Sequence, residues 1–343
     1  MKKVRLLLII NIVQVVLLIT SICASVIILP KIMHFGENKV PLTVVLGTED
    51  DKLNGYAQVT AYGAVADDGK DDTAAFKKAL ETNASIYVPT GTYDLKDTIV
   101  IESKNLKGSG NTVIRSSAEK AVAILSGSVV IEDVDFCFAD GDLTGNEKSG
   151  EKVALLDNGL TQGSMIRGVG FNNVGTGFYS NLEKGALCTT IEAVTFNNFS
   201  YKAIEITNGM SAVIRSATVG KAFNSVTTPV SLGGVVTVEA MGFTATECDY
   251  ALEFNNATSV FVKNLSFKDV KATKKALVNC NSARFTVQVA TLLNTGCDNL
   301  FAVNDTDGTK VATAGTVNMV YSNTSNDFSI SQSEKIISEF KLK

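Results

Sequence analysis

Tryptophan is absent from this 343-residue chain, proline occurs four times and histidine once. The single histidine, His34, precedes every regular pattern described below, so an imidazole base has no candidate in the patterned part of the chain. Cysteine is sparse and unpaired in pattern. Cys23 lies in a long apolar run, and Cys137, Cys188, Cys248, Cys280 and Cys297 follow it, an odd number with no C-x-x-C spacing. That argues against both a disulfide framework and a cysteine metal site. Charge of one sign is also missing. Thirty-one basic residues face 35 acidic ones, for a net charge of −4, so nothing electrostatic calls for a nucleic-acid partner.

What is present begins with the longest uncharged stretch, from Leu6 to Pro30, interrupted only by Asn11, Gln14 and small hydroxyl residues. As a helix, residues 6–29 would rise roughly 36 Å, more than the ~30 Å hydrocarbon core of a bilayer. A cleavable signal peptide is the alternative, but its apolar region would be shorter, about 7–15 residues. Lys2, Lys3 and Arg5 precede the run, which predicts a cytoplasmic N-terminus and an exported remainder. We therefore expect a single-pass anchor over residues 1–30, a linker over 31–55 and a cell-membrane location with the C-terminal domain outside.

Beyond the linker, Asp71 and Asp72 are placed to cap a short helix whose apolar face is Ala75, Phe76, Ala79 and Leu80. The rest is dominated by self-similarity. The hexads IEDVDF, IRGVGF, IEAVTF, IRSATV, VEAMGF, VKNLSF and VQVATL start at residues 131, 166, 191, 214, 238, 262 and 287, mostly 23 to 25 residues apart. A second series keeps step with them: ALLDN at 154, GFYSN at 177, AIEIT at 203, PVSLG at 229, ALEFN at 251, ALVNC at 276 and LFAVN at 300. Two strand families at one shared period predict a solenoid in which each coil adds a rung to each row. The fold class is all-β, a right-handed parallel β-helix by the crossover rule, over residues 56–325.

Hexad positions one, four and six are apolar and should point inward, with a change of direction near position three. Position two reads Lys107, Glu132, Arg167, Glu192, Arg215, Glu239, Lys263 and Gln288 down the stack. Parallel rungs in register would set these alternating charges side by side, so we read them as a structural ladder. Asn172–Asn173 and Asn197–Asn198 follow the hexad phenylalanines and suit a repeated left-handed turn. Cys248 and Cys297 lie 49 residues apart in similar contexts. Two coils would separate them by nearly ~10 Å, beyond disulfide reach, so both are expected as small buried thiols. The final residues, with Ile336, Ile337 and Phe340, read as an amphipathic helix within a C-terminal cap at 326–343.

One segment carries a family resemblance. Tyr62-Gly63-Ala64, Asp67, Gly69, Asp71-Asp72-Thr73-Ala74-Ala75-Phe76, Ala79 and Val88-Pro89-x-Gly91-x-Tyr93 together resemble the opening module of the pectate lyase superfamily, the pectin-lyase-like parallel β-helices. The resemblance covers about 45 residues directly. It implies the fold and a polysaccharide partner, acidic or on a cell surface, with cleavage by a lyase or glycoside hydrolase as one outcome. A non-catalytic surface spacer, adhesin or protein-interaction solenoid is the other. Asp67, Asp68, Asp71 and Asp72 are read as caps and turns, not as a metal cluster. Asn304-Asp305-Thr306-Asp307-Gly308 partly resembles one polygalacturonase motif, but the companion motifs are missing and a turn accounts for it.

No catalytic residue is assigned from sequence. Candidate substrate-binding residues come from two places. The interval between the first two hexads is about ten residues too long and carries the insertion Asp140–Lys152. An insertion in a solenoid emerges as a loop on one face. Asp135, Asp140 and Asp142 beside it would supply acid–base groups or oxygen ligands, which leaves calcium open as a cofactor. The second series contributes Tyr179, Glu205 and Glu253 as outward side chains. Ser231 falls between the two glutamates, so they stand two rungs apart.

Overall fold

The computed structural model describes residues 55–82, 85–180, 188–224, 226, 228–273, 276–281, 285–293, 299–304, 313–322, 329–331 and 338–342, with side chains as far as Asn279. The apolar run at 6–29, the linker, Cys297 and residues 305–308 lie outside the described residues. Among the described residues no helix is long and apolar enough to cross a membrane.

From Tyr56 onward the described residues form a parallel β-solenoid with one short α-helix. Its first turns are built by the motif residues. A helix, α1, spans Thr73–Glu81 and buries Ala75, Phe76, Ala79 and Leu80, the four positions the spacing predicts. Asp71 caps it by accepting from the Thr73 amide at 3.0 Å. Asp72 does a different job: its carboxylate is buried and accepts from the amides of Val65 at 2.9 Å and Asp94 at 3.3 Å, tying α1 to the loop before it and to the strand Gly91–Leu95 after it. Phe76 meets Tyr93 edge-on, with ring centroids 5.8 Å apart. Gly91, at a φ of 123°, is needed for both its backbone and its space, since a Cβ there would lie 2.5 Å from Ala66 Cβ.

The solenoid then follows the two rows. Ile131 pairs with Ile166, Ile166 with Ile191, Ile214 with Val238, and Val238 with Val262 and Val262 with Val287, always in parallel. Positions one, four and six of the hexads are buried throughout the described side chains, as in Ile191, Val194 and Phe196. Like residues pile on like. Phe171 and Phe196 stack with centroids 4.7 Å apart and Phe243 and Phe267 at 5.1 Å, the intervening rung being Val219.

Position three turns the chain by adopting the left-handed region in four consecutive hexads, at Asp133, Gly168, Ala193 and Ser216. A second left-handed residue follows two places after the hexad phenylalanine, at Asn173, Asn198, Ala245 and Asp269. Asn198 Nδ2 donates to Asn173 Oδ1 at 3.1 Å, so the asparagines bond along the stack as well as turn it. The charge column behaves as its alternation requires. Lys107 and Arg167 both approach Glu132, and Arg215 meets Glu239 at 2.8 Å.

Cys137 and Cys248 are free thiols. Cys248 is buried, and burial pushes the Cys137 thiol up to about 11. The chain's end differs from expectation. Ser338–Leu342 is a strand, not an amphipathic helix, and pairs in parallel with the strand Thr313–Ser322, Phe340 lying opposite Gly315. Its residues alternate polar and apolar, and five residues gain more from a ready rung of backbone partners than from an isolated helical turn.

A non-glycine residue in the left-handed region costs about 1 kcal/mol or more, offset in part by the unfolded-state entropy of glycine. Ala193→Gly should therefore raise the unfolding free energy by about 0.5–1 kcal/mol in urea titration. A decrease would show that the turn at position three is not what constrains this residue.

Candidate functional site: a roofed carboxylate ladder

The outward side chains of the second row form one continuous ladder. Register places Leu156 beside Tyr179, Tyr179 beside Glu205, Glu205 beside Ser231, Ser231 beside Glu253 and Glu253 beside Asn279. Glu205 and Glu253 are thus two rungs apart, a separation of about 10 Å along the stack. Asn279 Nδ2 donates to Glu253 Oε1 at 2.9 Å.

The insertion roofs this ladder. It leaves the preceding strand and anchors itself by burying Leu143 in the core. Glu147 is buried and accepts from the Thr144 amide at 2.5 Å, the Thr144 hydroxyl at 2.9 Å and the Gly145 amide at 3.1 Å. Burial pushes its carboxyl up, but hydrogen bonding, from Ser200 first and then from Thr144, outweighs it and leaves the group below its ordinary value. The Ser149 hydroxyl then donates to Glu205 Oε2 at 2.8 Å, across 56 residues of sequence. Asn224 Nδ2 reaches the Gly145 carbonyl at 3.5 Å. The loop closes on Lys152, whose ammonium donates to Ala118 O at 3.0 Å and lies 5.1 Å over the Phe138 ring.

Between roof and ladder lies a depression of about 360 Å³, lined by Glu147, Tyr201, Lys202, Thr228 and Glu253 among others. Lys202 is buried beneath it. Its ammonium donates to Thr228 O at 3.2 Å and sits 5.0 Å over the Tyr201 ring. Burial pushes Lys202 down while the charges of Glu205 and Glu253 both push it back up, so the two carboxylates converge electrostatically on one amine. Burial pushes Glu205 up, against the Ser149 hydrogen bond and the Lys202 charge. Tyr201 is pushed up to about 12, by burial first and then by the charges of Glu205, Tyr179 and Glu253. The arrangement offers one carboxyl held above its ordinary value, a second about 10 Å away across the rung of Ser231, and an ammonium and a phenol, Lys202 and Tyr201, beside the second.

A model of the family described as rhamnogalacturonase A/epimerase, pectate lyase-like, matches residues 56–337. The chain belongs to that family. The preneck appendage protein of Bacillus phage PZA is 31% identical over 137 residues, which are 40% of this chain and 15% of that protein. The chain therefore matches only a small part of that relative's length. Among solved structures, the tailspike protein of Acinetobacter baumannii phage AM24 superposes with a TM-score of 0.58 at 11% identity, covering 84% of this chain and 54% of that one. ORF18 of Geobacillus virus E2 gives 0.54 at 13% identity, covering 89% and 66%. At these identities the likeness is one of fold.

Of the six candidate residues, the structure brings Tyr179, Glu205 and Glu253 onto one ladder and leaves the aspartates outside it. Asp135 is exposed on a strand between Val113 and Gly170, accepting from the Gly170 amide at 3.0 Å. Asp142 pairs with Lys152 at 4.0 Å, and Asp140 is exposed at the loop's start. Among the described residues no group of three or more histidine, cysteine or acidic side chains is placed to hold a metal ion. Sequence reasoning did not single out Glu147, Ser149, Tyr201 and Lys202. Lys202 directly precedes the AIEIT segment, and its register partner is the small Thr176, a place where a long side chain can lie buried.

Glu205's raised value fixes a sign. A carboxyl whose folded value lies above the ordinary 4.5 stabilises the fold below that pH and loses the contribution as pH rises through its folded value. Relative to Glu205→Gln, the native protein should lose stability as pH climbs above the ordinary 4.5. Thermal unfolding on both sides of that value checks it; a difference that does not change with pH would contradict the burial.

Proposed function

We propose that this protein binds a polysaccharide across the second row beneath the Asp140–Lys152 roof and hydrolyses it there. The observation that carries the reading is the pair Glu205 and Glu253 on alternate rungs, with Glu205 the carboxyl biased toward protonation. Inverting glycoside hydrolysis uses two carboxyls roughly 6.5–9.5 Å apart, one protonating the leaving oxygen and the other activating water. Two rungs of the ladder supply about that separation. In this scheme Glu205 gives its proton to the glycosidic oxygen as the C–O bond breaks. Glu253 takes a proton from the water that attacks the anomeric carbon on the opposite face. Glycan entry displaces the Ser149 hydroxyl from Glu205. The family's description, which names a rhamnogalacturonase, agrees with a polysaccharide as the ligand. A non-catalytic glycan-binding role is the second reading, favoured by the hydrogen bonds that already engage both carboxylates.

Incubating the protein with a polysaccharide panel separates these readings. Hydrolysis gives new reducing ends without unsaturation, with inverted anomeric configuration by NMR. Glu205→Gln and Glu253→Gln should each lower kcat by about 10²–10⁴ and leave binding largely intact. Binding with no cleavage of any member would leave the second reading. Failure to bind any glycan would sink both.

We further propose that residues 6–29 anchor the protein in the cell membrane with the solenoid on the outer side, a reading supported by the uncharged run and the preceding Lys2, Lys3 and Arg5. The full chain should stay with membranes through an alkaline carbonate wash, and a chain starting at residue 41 should not. Release of the full chain by the wash would refute the anchor.

A further inference from the structure

On the other side of the roof lies a second depression, of about 480 Å³, at the corner where the hexad row turns into the second row. Its lining has one large apolar group, the ring of Phe223, set among Lys221, Asn224, Glu247, Asp269 and Lys271. Phe223 is 43% exposed, one of few large hydrophobic residues in the described part of the chain that face solvent. The ring is held on a rigid base. The Phe223 amide donates to Phe199 O at 2.8 Å, and its neighbour Ala222 is buried and bridges to Phe199 in the core. The roof fixes one side of it, because a Cβ on Gly145 would lie 3.2 Å from the ring. The same loop borders both depressions: Gly145 lies against Phe223 and Asn224, while Glu147, two residues on, lines the first depression.

We infer that Phe223 is the platform of a second glycan subsite, which takes an uncharged pyranose ring of the same polysaccharide that occupies the ladder. This rests on the proposed function and extends it. The lining is balanced in charge, two lysines against two carboxylates, with Lys271 and Glu247 paired at 3.0 Å. A balanced rim repels neither sign strongly and gives no net attraction to an acidic sugar, while its donors and acceptors match ring hydroxyls. A protein partner would want a contiguous apolar patch, and here one ring stands alone among charged side chains. A molecule with one apolar face and a polar rim fits, and a pyranose is such a molecule.

The absence of tryptophan makes the test direct. Phe223→Trp in the full chain introduces its only indole and should preserve stacking. Its emission should shift on titration with a neutral oligosaccharide long enough to cross the roof. Phe223→Ala should weaken binding of that oligosaccharide about tenfold, the scale of one stacking contact. It should leave unchanged the affinity for short fragments confined to the ladder. Circular dichroism of both variants verifies the fold. If a glycan binds and the Trp emission does not move, or if Phe223→Ala binds the long oligosaccharide as tightly as native protein, the second subsite is refuted while the ladder site stands. Preference for acidic over neutral oligosaccharides at Phe223 would overturn the ligand class. Absence of any glycan binding by native protein would remove the ladder reading and this one with it.

Discussion

Each strand in the described solenoid finds its backbone partners about one coil away in sequence and directly beside it in space. That single constraint, parallel pairing in register at a rung spacing of about 4.8 Å, decides what every position may hold. A coil alone cannot bury Ile191, Val194 and Phe196; the coils on either side do it. In-register stacking also sets like positions side by side, so the inner columns become aliphatic and aromatic piles and the outer ones must avoid repeating a charge. The Lys107–Glu132–Arg167 run shows the outer column obeying that requirement. The left-handed residues at hexad position three serve the same end, because a turn that repeats at one place in each coil keeps the columns aligned.

The site grows out of this geometry without disturbing it. Register alone delivers Glu205 and Glu253 to one face with a small serine between them, and the inserted loop supplies what register cannot: a roof, a partial exclusion of water and a third carboxylate at Glu147. Burial is what distinguishes these groups chemically. Glu205 is moved up and Lys202 down by the same loss of solvent, each opposed by the charge of its neighbours.

The extent to which this was legible in the sequence follows from the same division. Anything repeated was readable: the hexads, the second series, the inward positions, the charge ladder, the asparagine turns and the two-rung spacing of Glu205 and Glu253 all follow from one period. Features that occur once were harder. The insertion announced itself as ten extra residues, but where it lands depends on Leu143 entering the core and Ser149 finding Glu205, contacts without any periodic signal. Asp135 and Asp142 are near in sequence, yet a strand holds one and Lys152 the other. Lys202 carries no signal in the sequence because lysine is seldom buried, and its place is made by the small Thr176 on the facing rung. The final strand has an apolar spacing that also suits a helix, and the neighbouring edge that receives it decides for a strand.

The hydrogen bond from Ser149 to Glu205 has a mechanical side. In a quasi-one-dimensional solenoid each coil normally feels only the two it touches, so fraying can advance one coil at a time. A strap that leaves the chain near residue 140 and fastens to later coils at residues 205 and 224 ties non-adjacent coils into one cooperative block. Unzipping from either direction then meets a clasp, and the segment that holds the carboxylates in place is also the segment that must open as a unit.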